Sequence, residues 1–377
     1  MLANRVPRAL AALAVSAAVL LAAGCSSATA SGTTEVECAD ASTPLAELTL
    51  VDDPRNATGL SSACLGSHAI EPVADTSGPD LPVTVTDAES REVEITDVSR
   101  ILALDISGTI AATVFGLGLG DNIVGRDTST AFEGTEELPI VLKSGHTLNA
   151  EAILELAPTV VVTDTTIGPK EVRQQLRDAG IPVVVVSRDR NIDTIGSLVQ
   201  EIADALGVPE RGRALTERVD ADVEAAIAEV AAIAPAAASD RPRMVFLYVR
   251  GSANVYYIFG TESGADSLIE AVSGVDVATE IGWTGMKPMT AEALVAAQPD
   301  VLVMMTEGLE SMGGVDGLLE QIPALMQTPA GKNKRVIDMG DTEVLGFGPR
   351  TPDVIRALAR ALYAPADAPH PNATPAS

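Results

Sequence analysis

His146, Tyr248 and Arg250 are the side chains whose types and spacing suit chemistry with a metal. His146 stands in Lys143-Ser144-Gly145-His146-Thr147, and Tyr248 and Arg250 close the apolar run MVFLYVRG. Residues two apart on a strand project to the same side, so Tyr248 and Arg250 are neighbours there. A free phenol titrates near pH 10 and becomes phenolate at neutral pH only beside a compensating cation, which ferric iron or a guanidinium supplies. Phenolate is a hard oxygen donor suited to ferric iron, and imidazole also binds iron. One ligand from each half of the chain could therefore clamp a ferric haem axially. Position alone leaves other readings open: a solvated loop side chain for His146, a packed strand-end aromatic for Tyr248. Of the three histidines, His68 and His370 fall in segments without periodicity, which leaves His146 as the one expected in the folded core.

The elements that would position these residues follow from a repeat. LNAEAILELAPTVVVTD at 148–164 recurs as MTAEALVAAQPDVLVMM at 289–305, with Ala150/Ala291, Glu151/Glu292, Pro158/Pro299 and Val160/Val301 in register. Each copy reads as a helix stopped by Pro and followed by a buried strand. A spacing this long excludes short solenoid repeats and implies two similar domains facing a cleft, where ligands bind. Strand and helix alternate through RILALD, the first repeat and IPVVVVS, which predicts a parallel sheet. VTVTDAESREVEI reads as a hairpin. The stretch 211–233 is Ala-rich with almost no breakers and predicts one long helix between the repeats. The fold class is α/β, with two Rossmann-like lobes joined by one long linking helix and the ligand in the cleft between them. The expected divisions are a signal at 1–24, a tether at 25–81, an N-lobe at 82–190, a linking segment at 191–240, a C-lobe at 241–363 and a disordered tail at 364–377.

By the repeat offset, the counterpart of His146 is Lys287, also ahead of a helix, so both loops are expected to face the cleft. Trp283, Met286, Met289, Met305 and Met312 give the second lobe flat or polarizable side chains suited to a wide apolar ligand, with Met305 best placed at its strand end. Glu151 and Glu292 hold matching positions in helix first turns, where the helix dipole alone favours a carboxylate. Their recurrence on two lobes also allows two acidic knobs for a partner with basic sockets. Gly-x-Ser-x-Gly, phosphate-loop, Cys-x-x-Cys and His-x-x-x-His motifs are missing, which argues against an enzyme.

Arg5 and Arg8 precede an apolar run at 9–23 that ends Leu21-Ala22-Ala23-Gly24-Cys25. This reads as an export signal with a lipobox rather than a spanning helix, although Ala22 stands where Leu is usual. Cys25 is then the lipidated N-terminus, anchoring the protein to the outer face of the membrane. Cys38 and Cys64 remain, and export favours a disulfide between them. The net formal charge of −27 makes nucleic acid an implausible partner.

The lipobox, the paired Ala-Glu units ending in Pro-Asp/Thr-Val and the long linking segment resemble the substrate-binding proteins of bacterial ABC importers for cobalamin, ferric siderophores and haem. The resemblance covers about 82–363. It implies that Glu151 and Glu292 dock on a permease that works with its ATPase. Within that family, Ser-Gly-His-Thr and Phe-Leu-Tyr-Val-Arg-Gly resemble the haem-binding lipoproteins of actinobacterial uptake systems. That likeness implies ferric haem b held between His146 and Tyr248, with Arg250 hydrogen-bonded to the Tyr, surface haem donors as partners, and a monomer that catalyses no reaction. The nearest competing cargo is a ferric siderophore or a corrinoid. A haem reductase, a chelatase or an adhesion lipoprotein are more distant alternatives.

Overall fold

The computed structural model describes residues 41–74 and 77–368. The signal, Cys25, Cys38, His370 and the rest of 369–377 lie outside the described residues. No helix among those described is long and apolar enough to cross a membrane.

The chain first forms a short strand, β1 (Leu60–Ala63), then the expected hairpin of β2 (Val83–Thr86) and β3 (Glu92–Ile95), with Val83 opposite Ile95. The first lobe continues through β4 (Ile101–Leu104), α1 (Thr109–Gly116), β5 (Ile123–Gly125) and the hairpin β6 (Leu142–Ser144)/β7 (Thr147–Leu148). It ends with α2 (Ala150–Glu155), β8 (Val160–Thr163), α3 (Lys170–Asp178) and β9 (Val183–Val185). Its sheet has the order β5-β4-β8-β9 and every pairing is parallel. The reason lies in composition: β4, β8 and β9 are apolar or β-branched and buried throughout, as strands covered on both faces must be.

Two helices, α4 (Ile195–Ala205) and α5 (Pro209–Ile233), follow. Pro209 sits at the first helical position, where its missing N–H costs nothing. Near its start α5 meets the first lobe, where Arg211 Nη1 donates to Leu117 O at 3.0 Å after α1. Near its end Glu229 pairs with Arg356 at 2.8 Å in the second lobe. The 25-residue helix therefore bridges the lobes.

The second lobe runs β10 (Arg243–Arg250), β11 (Val255–Phe259), α6 (Ala265–Ala271), β12 (Val275–Asp276), α7 (Val277–Glu280) and β13 (Met286–Pro288). Then come α8 (Ala291–Ala297), β14 (Val301–Met305), α9 (Thr306–Ser311), α10 (Gly314–Gln321), α11 (Pro329–Lys332), β15 (Val336–Met339) and α12 (Thr351–Tyr363). Its sheet has the order β1-β15-β14-β10-β11-β13, with β12 also on β10. The pairings from β1 to β10 are parallel, and β11 and β13 add antiparallel strands at the edge. In both repeats the helix ends in a left-handed residue before its Pro, Ala157 (φ 45°) and Gln298 (φ 43°), so the sequence repeat is also a backbone repeat.

The segment read as an extended tether is corrected from Ala41 onward, where Arg360 Nη2 donates to Ala41 O at 3.0 Å and Leu45 is buried in the core. Strand β1 enters the second-lobe sheet beside β15, and the fully buried Arg335 secures it by donating to Ser61 Oγ at 2.6 Å. The chain then reaches the first lobe, where Val73 N donates to Gly116 O at 2.8 Å. His68 lies on this path. It belongs to the folded body, its Nδ1 3.3 Å from Glu343 Oε1. LSSA was unreadable as a strand because small residues carry little β-signal; pairing and Arg335 hold it. The tail departs in a smaller way, with a 3-10 turn at Pro365–Asp367 and Ala368 buried.

One apolar cluster runs through both lobes, from Ile101 and Ile110 through Leu215, Val219 and Val223 of α5 to Phe246 and Ile355. A core shared across the linking helix resists wide hinge motion, because close-packed interiors transmit strain rather than yield.

Candidate functional site

The carboxyl ends of adjacent second-lobe strands converge on one place. Tyr248 and Arg250 end β10, Met305 ends β14, and Asp341 follows β15 by two residues. In open α/β sheets this is where ligands bind. Period two along β10 sends Phe246 and Tyr248 to the face of the larger apolar cluster and Val245, Leu247 and Val249 to the other. Tyr248 is half-buried between aromatic neighbours: Phe259 is stacked at 5.7 Å and Tyr257 tilted at 6.5 Å, centroid to centroid. Among the described residues its hydroxyl has no hydrogen-bond partner.

Arg250 does not donate to that hydroxyl. Its guanidinium carbon lies 4.6 Å from the Tyr248 ring centroid, over the face, in cation–π geometry. The guanidinium is ion-paired with Asp341, donates to Val249 O at 3.0 Å and approaches Met305 Sδ at 3.9 Å. Met305 thus contacts the Tyr-Arg pair directly.

His146 occupies the turn between β6 and β7, next to Gly145, whose φ of 50° suits glycine. Backbone bonds pin this hairpin to the loop after β8: Gly168 N donates to His146 O at 3.2 Å and Leu148 N to Gly168 O at 2.6 Å. His146 therefore stands beside the carboxyl end of the first-lobe sheet. Partial enclosure lowers the imidazole pKa, and the charge of Arg250 in the other lobe lowers it further.

Other expected residues are distributed unevenly. Trp283 and Met289 pack on the opposite face of the second-lobe sheet from Tyr248, and Trp283 Nε1 is spent on Ile258 O at 3.1 Å, so the structure does not bring Trp283 to this cluster. Met312 is core, only 2% exposed. Met286 and Lys287 are exposed on the edge strand β13, Met286 at 63%. Glu151 and Glu292 are exposed in the first turns of α2 and α8.

Sequence reasoning missed Asp341 and a first-lobe group. Asp105 and Asp164 follow β4 and β8 directly, and Arg190 Nη2 bridges them at 3.3 and 2.9 Å. Asp127 beside them accepts Asp105 N at 3.0 Å, and burial together with the Asp105 charge pushes its pKa up to about 7. Ile106, 43% exposed, stands between these strand ends. The signal was present in ILALD and VVVTD, an Asp closing a buried apolar strand.

Two α/β lobes on a long helix, with candidate residues at the strand ends of each, define a substrate-binding class of protein. Residues 106–343 match the family model described as periplasmic binding protein, and the chain belongs to that family. Among solved structures, heme binding protein HmuT is 46% identical, with a TM-score of 0.77 over 82% of this chain and 99% of that one. Structures of HmuT with alanine replacing a tyrosine, the arginine two positions later, or a histidine match at 45% or 46% identity. An uncharacterized ABC transporter substrate-binding lipoprotein, YvrC of Bacillus subtilis (strain 168), is 26% identical over 75% of this chain and 86% of its own. A cobalamin-binding protein of Halobacterium salinarum is 24% identical over 80% and 81% respectively. The solved structures named here are of binding proteins, not enzymes.

Proposed function

We propose that this protein captures ferric haem b in its interlobe cleft and delivers it to an ABC importer. The observation that carries the reading is the half-buried Tyr248-x-Arg250 pair at the end of β10, its hydroxyl without a hydrogen-bond partner among the described residues, in a chain 46% identical to heme binding protein HmuT. Tyr248 supplies a phenolate oxygen to the iron and His146 an imidazole from the opposite lobe. An anionic oxygen ligand keeps the iron ferric. Met305, Ile106 and Met286 offer apolar contact, and Lys287 a charge for a propionate. The protein is lipid-anchored through Cys25 outside the membrane, braced by a Cys38–Cys64 disulfide, monomeric and loaded by surface haem donors. Glu151 and Glu292 meet basic sockets on the permease, whose ATPase drives uptake.

Haemin titration of the protein lacking residues 1–25, beside His146→Ala and Tyr248→Ala, tests this. A saturable 1:1 ferric spectrum altered in both variants is expected. Alteration in Tyr248→Ala alone leaves a single protein ligand. The relative that binds cobalamin favours one second reading, a corrinoid cargo; saturable cobalamin binding without a haem complex would establish it in place of haem.

A further inference from the structure

We infer that the buried group of Asp105, Asp127, Asp164 and Arg190 is the frame of a preformed ring-binding knob, which through Thr166 and Ser129 holds Ile106 rigid against the apolar face of a porphyrin. This rests on the haem reading of the cleft. Ile106 is 43% exposed although β4, two residues before it, is buried throughout. Side chains from the loops after both neighbouring strands fix its backbone. Its N–H donates to Thr166 Oγ1 at 3.0 Å after β8, and its carbonyl accepts from Ser129 Oγ at 2.6 Å after β5. With both polar groups held and a side chain stiff by β-branching, Ile106 presents one fixed apolar shape.

The two holders are themselves held by the buried carboxylates. Thr166 N and Oγ1 donate to Asp164 Oδ1 at 2.7 and 2.5 Å, while Arg190 takes the other Asp164 oxygen at 2.9 Å. Ser129 N donates to Asp127 Oδ1 at 2.9 Å, and Asp127 Oδ2 accepts Asp105 N at 3.0 Å. Gly108 (φ 72°) closes the turn, since a Cβ there would meet Ser129 O at 2.5 Å. The knob stands at the cleft. The loop that holds Ile106 through Thr166 also holds the His146 hairpin through Gly168, and the carbonyl of Ser107 lies 3.4 Å from where a Cβ on Gly346 of the second lobe would stand. A macrocycle whose iron meets His146 therefore spreads onto Ile106. A contact that is already rigid adds affinity without an ordering cost on binding.

Metal-free protoporphyrin IX separates this contact from axial ligation, because it has the ring and no iron. The experiment titrates it, ferric haem and cyanocobalamin into the parent, Ile106→Ala, Thr166→Val, Thr166→Ser and the double variant Ile106→Ala/Thr166→Val. Ile106→Ala is expected to bind protoporphyrin about tenfold more weakly, the scale of removing a partly exposed alkyl group. Its ferric haem spectrum stays parental. Thr166→Val is expected to weaken protoporphyrin about fivefold, the scale of one hydrogen bond, and Thr166→Ser to restore it. In the Ile106→Ala background Thr166→Val costs nothing further, because both act through one side chain. Parental protoporphyrin affinity in Ile106→Ala, or haem binding by the parent without protoporphyrin binding, overturns the knob. A full loss from Thr166→Val in the absence of Ile106 overturns the frame's action through it. A parent that binds neither porphyrin, or cyanocobalamin in place of both, overturns the haem reading and this inference with it.

Discussion

The ring of Tyr248 lies 5.7 Å from that of Phe259 at an interplanar angle of 20°, and Phe259 in turn stacks 5.1 Å from the buried Phe246. The candidate ligand is thus the outermost ring of an aromatic ladder rooted in the core. Tyr248→Phe keeps the ladder and removes only the oxygen. We expect its melting temperature to match the parent's while the phenolate charge-transfer band of the ferric complex disappears; absorption spectroscopy and calorimetry on the same sample check both.

Arg335 donates to Ser61 Oγ at 2.6 Å and to Ala361 O at 2.6 Å, joining β1, β15 and the end of α12 around one buried cation. Burial pushes its pKa down to about 10, so it stays charged at neutral pH. Arg335→Ala strands these acceptors and opens a cavity. A loss of about 2–4 kcal/mol is expected in chemical denaturation.

His68 and Glu343 make a pH-dependent contact. The bond to Glu343 raises the His68 pKa, so its contribution is complete below the unfolded value near 6.5 and fades as pH rises through the higher folded value. With His68 half exposed, it is worth at most about 1 kcal/mol. His68→Gln should be less stable than the parent at pH 5.5 and equal to it at pH 9, read from melting temperatures at both.

Glu151 and Glu292 are exposed and remain distinct from the cluster around Tyr248. Reversing both charges to Lys should leave the haem spectrum and haem-loss rate unchanged and abolish stimulation of the transporter ATPase in proteoliposomes. Unchanged stimulation would remove them from the docking surface.

The fold was legible where local chemistry is strong. RILALD and VVVT declared themselves as buried strands, the Pro stops marked the ends of α2 and α8, and the long Ala-rich stretch became α5. Trp283 shows the limit. Composition suited it to a ligand, but the strand pairing around it placed it on the far face, where its N–H is used up by Ile258 O.

By itself, the sequence determined that Tyr248 and Arg250 share a side of one strand, because the strand period is two, and that a helix-strand unit occurs twice, because helix and strand periodicities are written locally. Tertiary structure alone decided that Asp341, 91 residues from Arg250, would hold it, that β1 would complete the second-lobe sheet, and that Arg250 would lie on the Tyr248 ring rather than at its oxygen. Local pattern fixes which face a side chain takes. Which distant strands become neighbours is set by the joint burial of faces far apart in the chain, and no short window of sequence contains that.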